Sequence, residues 1–197
     1  MWIKRCFDEM AALAGLILFL PLFLAVAIWI KLDSPGPVFF RQVRVGRNGA
    51  LFRIYKFRTM KIDSEKIGQI TVKNDIRITR AGHLLRRYKI DELPQLLNVL
   101  RGEMSFVGPR PEVPRYVQFY PADVREIVLS VAPGITDWAS IEFKNENDIL
   151  VGSDDSEKTY IKQILPTKLD YYVRYVKQRN FFVDLRIILI TIRAILQ

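Results

Sequence analysis

The chain has 197 residues, enough for one domain of ordinary size with an appendage. Lys and Arg number 30 against 21 Asp and Glu, a net charge of +9, which points to a polyanionic partner: nucleic acid, an anionic membrane surface or phosphorylated substrates. The lone Cys6 and lone His83 exclude an intramolecular disulfide and a cysteine-built zinc site and argue against a His-based metal site or a Ser-His triad, so a metal here would be a hard cation on oxygen ligands, such as Mg²⁺.

Met10 to Ile30 is unbroken apolar sequence preceded by Lys4, Arg5, Asp8 and Glu9. As a straight helix it would cover roughly 30 Å, about one hydrocarbon core. Pro21 stands at its middle, where it removes a backbone hydrogen bond and bends a helix. Positive charge flanks both ends, with Lys4 and Arg5 before and Lys31, Arg41, Arg44 and Arg47 after. Charge asymmetry therefore sets no orientation. A kinked span and a hairpin that returns to the same face both remain open from the residues alone.

Asp33 to Pro37 is turn chemistry that ends this helix. Val38-Phe39-Phe40 reads as a short strand, Asn48-Gly49 as a hairpin signal, and Leu51 to Arg58 as a strand whose cationic face carries Arg53, Lys56 and Arg58. Met60 to Asn74 reads as a loop and Asp75 to Arg80 as a bridging element. Ala81 to Tyr88 is helical, with His83 on its surface. Lys89 to Pro111 begins with adjacent carboxylates at a helix start and ends on the stiff loop Val107-Gly108-Pro109-Arg110-Pro111. Two short helices follow over Pro114–Tyr120 and Pro121–Val131, then a turn at Ala132–Thr136 and a strand at Trp138–Ile141. Phe143 to Asp155 is loop-like. Glu157 to Arg179 is a long amphipathic helix with a break possible at Pro166. The mostly apolar Phe181 to Leu196 is short for a span and reads equally as a membrane-surface helix or a core helix.

Asp91-Glu92-Leu93-Pro94 makes a reasonable helix N-terminus, with Asp as cap and Pro in the first turn. The alternative is chemical. A carboxylate attacks phosphorus once the phosphate charge is neutralised, here by arginines and Mg²⁺. Arg110, held between two prolines, can fork two phosphate oxygens. Besides a phosphoryl-transfer enzyme, the residues admit a basic membrane-anchored module for anionic lipid or nucleic acid, and a phosphatase with an aspartyl-phosphate.

The segment from Arg77 to Pro111 closely resembles the bacterial sugar transferases, the monotopic phosphoglycosyl transferases. The motifs that carry the resemblance are Asp75-Ile76-Arg77-Ile78-Thr79, Leu85-Arg86, Asp91 to Leu96, Asn98-Val99-Leu100, Gly102, Met104-Ser105 and Val107 to Pro111. Lys4 to Asp8, Pro21, Gly36 to Phe40, Tyr55 to Met60, Pro133 to Thr136 and Asp170 to Val173 extend it over nearly the whole chain. The resemblance implies a mainly helical α+β fold: residues 1–32 as a re-entrant membrane helix hairpin broken at Pro21, and 33–197 as a small cytoplasmic catalytic domain with short strands and membrane-surface amphipathic helices. It implies transfer of a sugar-1-phosphate from a UDP-sugar to polyprenol phosphate (undecaprenyl phosphate), giving UMP, through a phosphosugar on Asp91. Glu92 is the helper carboxylate, with Mg²⁺ held at Asp91 and Glu92. Lys56, Arg58, Arg77, Arg86, Arg110, Pro111, Lys144 and Asp170 are the implied substrate-binding residues. The implied setting is the lipid bilayer of the inner membrane, with no nucleic-acid partner and a homodimer allowed. Three positions depart from the family pattern: Leu20 stands where a Ser is frequent, Asp137 where Gly is, and Lys144 nearest a substrate-contacting Arg. Sugar selectivity is expected in loops 60–74 and 142–156.

Overall fold

The computed structural model describes residues 2–64, 75–143 and 155–196. Lys144, and most of the loops at 60–74 and 142–156, lie outside the described residues. The apolar N-terminal run forms two helices, α1 (Trp2–Leu18) and α2 (Leu20–Asp33), bent by 61°. Pro21 sits in the first turn of α2. Having no N–H, it cannot continue the ladder from α1. Among the described residues no single helix is long and apolar enough to cross a membrane, whereas the bent pair together is.

The inner faces of both helices belong to the core. Ala12 of α1 is buried with Phe52, Ile54, Leu96, Val99 and Met104. Val26 and Ile30 of α2 are buried with Phe57 and Leu85. The outer faces leave Leu13, Ile17, Leu20, Leu24 and Ile28 exposed.

Strands β1 (Phe39–Val45) and β2 (Leu51–Phe57) form an antiparallel hairpin. Its turn uses left-handed backbone at Asn48 (φ 55) and Gly49 (φ 78), which matches the twist of the flanking strands. The period of two corrects one sequence expectation. Lys56 and Arg53 do not share a face, because Lys56 sits opposite Phe40 and Arg53 opposite Val43 in the register.

Helix α3 (Arg80–Arg87) is capped by Thr79, whose hydroxyl accepts from the Gly82 N–H. A 3₁₀ turn (Ile90–Gln95) leads into α4 (Leu96–Leu100) and strand β3 (Ser105–Val107). Helices α5 (Pro114–Val117) and α6 (Ala122–Leu129) come next. The segment Gly134–Thr136, expected as a turn, is strand β4, parallel to β3. The two chains approach so closely here that a Cβ on Gly134 would fall 2.1 Å from the Gly108 nitrogen. Trp138–Ile141, expected as a strand, lies in helix α7 (Trp138–Glu142). Asp137 decides this: its carboxylate accepts from the Ser140 N–H at 2.9 Å and caps the first turn.

Helix α8 (Ser156–Thr159) continues through a π-helical turn (Tyr160–Ile164) into α9 (Leu165–Gln178). The wider turn accommodates Pro166 without ending the helix. Helix α10 (Phe181–Leu196) packs one face into the core and leaves apolar residues exposed on the other. Ile187 is buried against Val107 and Tyr175, while Phe182, Leu189 and Ile192 are exposed. A buried polar cluster joins these parts. Ser105 donates to Asp8 at 2.7 Å, Lys4 pairs with Asp184, and the Tyr175 hydroxyl lies 2.8 Å from Asp184 and 3.0 Å from the Val107 carbonyl.

Candidate active site

The 3₁₀ turn opens on Lys89 in left-handed backbone (φ 55), and no side chain caps it. Asp91 is therefore not a helix cap. It lies inside the turn, 7% exposed, and its Oδ1 has no hydrogen-bond partner among the described residues. A buried carboxylate oxygen without a donor is costly. Burial pushes the Asp91 carboxyl up, and the charge of Glu92 pushes it further, against Lys56, Lys89 and Arg86.

Glu92 is buried as well, yet it titrates in the opposite direction. Lys56 donates to its Oε1 at 2.7 Å, and Arg110 reaches the same oxygen at 2.5 Å and Oε2 at 3.4 Å. Burial alone would raise this carboxyl. The charges of Arg110 and Lys56 outweigh it and hold Glu92 well below the usual range. Lys56 is itself drawn down to about 8 by burial, which Glu92 offsets only in part.

Three elements bring these groups together. Strand β2 presents Lys56 on its inner face, the 3₁₀ turn presents the carboxylates, and the loop after β3 presents Arg110. Asn98 fixes the first to the second. Its Oδ1 accepts from the Tyr55 N–H at 2.9 Å and its Nδ2 donates to the Arg53 carbonyl at 2.9 Å and to Glu103 at 2.7 Å. The Arg110 loop is held by backbone bonds from Gly108 to Thr136 and from Gly134 to Pro109. Arg44 donates to the Pro111 carbonyl at 2.9 Å. Glu112, two residues past Arg110, accepts from the buried Tyr160 hydroxyl. Gly108 thus serves the close approach of two backbone segments.

The other expected site residues are placed as follows. Arg86 donates to the Thr59 hydroxyl at 2.9 Å, and its charge acts on Asp91. Arg77 forks Asp75 at 2.5–3.0 Å. Arg58 caps the C-terminus of α2 and is not brought to the carboxylates: it donates to the carbonyls of Pro35 at 2.6 Å and Ser34 at 2.7 Å. Pro111 contributes its carbonyl to Arg44. Asp170 is exposed on α9. Sequence reasoning gave no role to Asn98, Arg44, Glu112 or the buried Gln95, whose Nε2 also lacks a partner among the described residues. Gln95 and Asn98 stand within the motifs that carry the resemblance, but the backbone partners of Asn98 on β2, and those of Arg44 and Glu112, lie more than 40 residues away, so no local pattern shows what they hold. Asp137 is buried, and its charge acts on Arg110.

Among the described residues no group of three or more Asp, Glu, His or Cys side chains could hold a metal. Two carboxylates remain: Asp91 with an unpartnered oxygen, and Glu92 with Oε2 held only at 3.4 Å. That donor set fits Mg²⁺, which takes one or two carboxylates and completes its shell with water and substrate phosphates.

The whole chain, residues 1–197, matches the family described as bacterial sugar transferase. It is 42% identical to the UDP-N-acetylgalactosamine-undecaprenyl-phosphate N-acetylgalactosaminephosphotransferase of Aeromonas hydrophila, over 99% of this chain and 44% of that protein. It is 36% identical to the UDP-glucose:undecaprenyl-phosphate glucose-1-phosphate transferase of Escherichia coli K12, over 96% of this chain and 39% of that protein. The uncharacterized sugar transferase EpsL of Bacillus subtilis strain 168 is 38% identical over 100% of this chain and 88% of its own length. The chain thus spans about two fifths of the length of the Aeromonas and Escherichia relatives.

Proposed function

We propose that this chain, which belongs to the bacterial sugar transferase family, moves a sugar-1-phosphate from a UDP-sugar to polyprenol phosphate. The relatives' names supply undecaprenyl phosphate as acceptor and UDP-glucose or UDP-N-acetylgalactosamine as donor. The observation that carries the reading is the contrast at the carboxylate pair. Asp91 keeps a buried oxygen without a donor, whereas Glu92 is held by two cations.

In the proposed first step an Asp91 oxygen attacks the β-phosphorus of the donor. The P–O bond to the α-phosphate breaks, UMP leaves with that oxygen, and the sugar phosphate stays as an acyl-phosphate on Asp91. A phosphate oxygen of polyprenol phosphate then attacks the same phosphorus, and the Asp91 carboxylate is released. The raised basicity of Asp91 favours attack. Lys56 and Arg110, oriented by Glu92, supply positive charge for the diphosphate. Glu92 acts as the support that holds these two cations; its low pKa argues against a proton relay. Asp91 and Glu92 would hold Mg²⁺, which neutralises phosphate charge.

The membrane arrangement is part of the proposal. The 61° bend and the positive charge at both ends fit a hairpin entering from the cytoplasmic face of the inner membrane and returning to it. A lipid acceptor would then reach the surface that carries Asp91.

The test is the intact mass of the chain after incubation with UDP-glucose or UDP-N-acetylgalactosamine and Mg²⁺. The expected result is an increase by one sugar phosphate, with UMP released, and loss of the adduct when polyprenol phosphate is added. Full transfer without any adduct rules out the covalent route. UMP release that continues beyond one equivalent per chain without polyprenol phosphate indicates hydrolysis instead.

A further inference from the structure

We infer that the outer face of the β1–β2 hairpin is a binding surface for the phosphate headgroups of acidic phospholipids, formed by Arg41, Arg53 and Arg101 around Tyr55. The register pairs Arg41 with Tyr55 and Val43 with Arg53 on one face of the hairpin, opposite in sense to Lys56. The guanidinium of Arg41 lies 4.4 Å from the centre of the Tyr55 ring. Arg101, which ends α4, lies 5.0 Å from the same ring and donates to its hydroxyl at 2.8 Å. All three arginines are exposed. None forms an ion pair with a described residue, although Arg5, Arg77 and Arg110 each have one. Two like charges are held against one ring with no carboxylate at ion-pair distance among the described residues, Glu103 acting on Arg101 only from farther off; an anion relieves them, and the guanidinium fork matches phosphate oxygens.

The apolar residues on this face select a lipid as the source of that phosphate. Val43 and Leu51 are exposed beside the arginines, and Phe39 is 37% exposed. Phe39 stacks on Phe57 at 5.5 Å, and Phe57 meets Phe23 of α2 edge-on at 5.3 Å. Through the buried Phe57 the hairpin is packed against α2, the helix whose outer residues Leu20, Leu24 and Ile28 are exposed. A ring and guanidinium groups beside an apolar surface suit the headgroup layer. This surface is separate from the carboxylate site, towards which Lys56 projects from the other side of β2. The inference rests on the membrane-embedded reading of α1 and α2.

Native mass spectrometry of the full chain in detergent, titrated with phosphatidylglycerol or phosphatidylcholine, tests the assignment. Wild type should retain phosphatidylglycerol preferentially. Arg53→Gln should weaken that retention about fivefold, and the double variant Arg41→Gln/Arg101→Gln about 25-fold, at roughly fivefold per cation removed. The double variant Arg41→Lys/Arg101→Lys should keep most of it, which separates charge from folding. Equal retention of the two lipids by wild type, or no change in Arg53→Gln, overturns the inference. Displacement of phosphatidylglycerol by polyprenol phosphate overturns it too, assigning the surface to the acceptor. Flotation with pure phosphatidylcholine vesicles reports separately on the helix pair: a wild type that floats without headgroup preference keeps the membrane reading and loses this one, and a wild type that does not float loses the membrane reading itself.

Discussion

The ammonium of Lys56 donates to Oε1 of Glu92 at 2.7 Å, across 36 positions of sequence. Burial draws the Lys56 ammonium down to about 8 from an ordinary 10.5. The cation is present below that pH and lost above it. For UMP release, kcat/KM is expected to fall along an alkaline limb near pH 8, since that parameter reports the free enzyme. Lys56→Arg should carry the limb beyond about pH 10, because a guanidinium does not titrate there. A limb that Lys56→Arg leaves in place belongs to another group. The linkage has a definite sign as well. Between about 8 and 10.5 the unfolded chain holds a proton that the folded chain has released, so stability contributed by this group rises with pH across that window.

Asp91→Asn removes the proposed nucleophile while nearly preserving its shape. The expected loss in turnover is on the order of 10³-fold or more, the scale seen when a reacting group is deleted. The melting temperature should stay within about 4 °C of wild type, since no described hydrogen bond to Oδ1 is lost. Comparable turnover in the variant would remove Asp91 from the chemistry. A collapse of both activity and melting temperature would point to a structural role.

Arg110 and Glu92 form the second ion pair of the site. Glu92 is held well below its ordinary 4.5, burial being outweighed by Arg110 and Lys56. Its contribution to stability is therefore present above the unfolded value and lost as pH falls through the folded one. Arg110→Gln should cost about 3 kcal/mol by leaving Glu92 buried with Lys56 alone. It should also move the midpoint of acid denaturation to higher pH. Denaturant titrations at pH 7 and at pH 4 to 5 read both effects. An acid midpoint identical to wild type would show that Arg110 does not set the state of Glu92.

Asn98 is fully buried and bonds the backbone on both sides of Ile54, accepting from the Tyr55 N–H and donating to the Arg53 carbonyl. Asn98→Leu keeps the volume but strands the Tyr55 N–H and the Arg53 carbonyl. The expected cost is about 2–4 kcal/mol for the unpaired groups. Because β2 carries Lys56, the remaining folded enzyme should show a raised KM for UDP-sugar. Chemical denaturation with steady-state kinetics checks both; an unchanged KM would show that Lys56 keeps its place without this staple.

The parts of this site that were legible in the sequence are the local ones. Asn48-Gly49 announced its hairpin because that pair tolerates left-handed backbone, and Pro21 announced the bend because it lacks an N–H. Asp91 looked like a cap because Asp is a good cap. Lys89 in left-handed backbone starts the turn earlier, and nothing in composition marks that. Strand alternation separates Arg53 from Lys56, since residues three apart on β2 point to opposite faces. Trp138 suited a strand by propensity, but the cap supplied by Asp137 prevailed. Arg58 could not be told from a phosphate ligand, because its carbonyl partners at Ser34 and Pro35 come from the end of another helix. The pairs Lys56–Glu92 and Tyr160–Glu112 span dozens of residues, and only the folded chain joins them.

The 61° bend between α1 and α2 suits a hairpin that returns to one face and also a kinked span, and thiol labelling separates the two. Ile3 near the start of α1 and Arg47 in the hairpin turn are both exposed. Cys6, also exposed, must first be replaced by Ser so that each new thiol stands alone. In that background Ile3→Cys and Arg47→Cys should both react with an impermeant maleimide added from the cytoplasmic side of inverted vesicles. Neither should react from outside intact spheroplasts. Labelling of the two positions from opposite sides would mean that α1 and α2 cross the bilayer as a kinked span. Residue 47 and the carboxylate pair belong to one packed unit: Val45 pairs with Glu112 through its N–H, and Glu112 lies two residues from Arg110. Wherever the thiol of the Arg47→Cys variant labels, Asp91 is on that side of the membrane, and with it the side from which the donor must arrive.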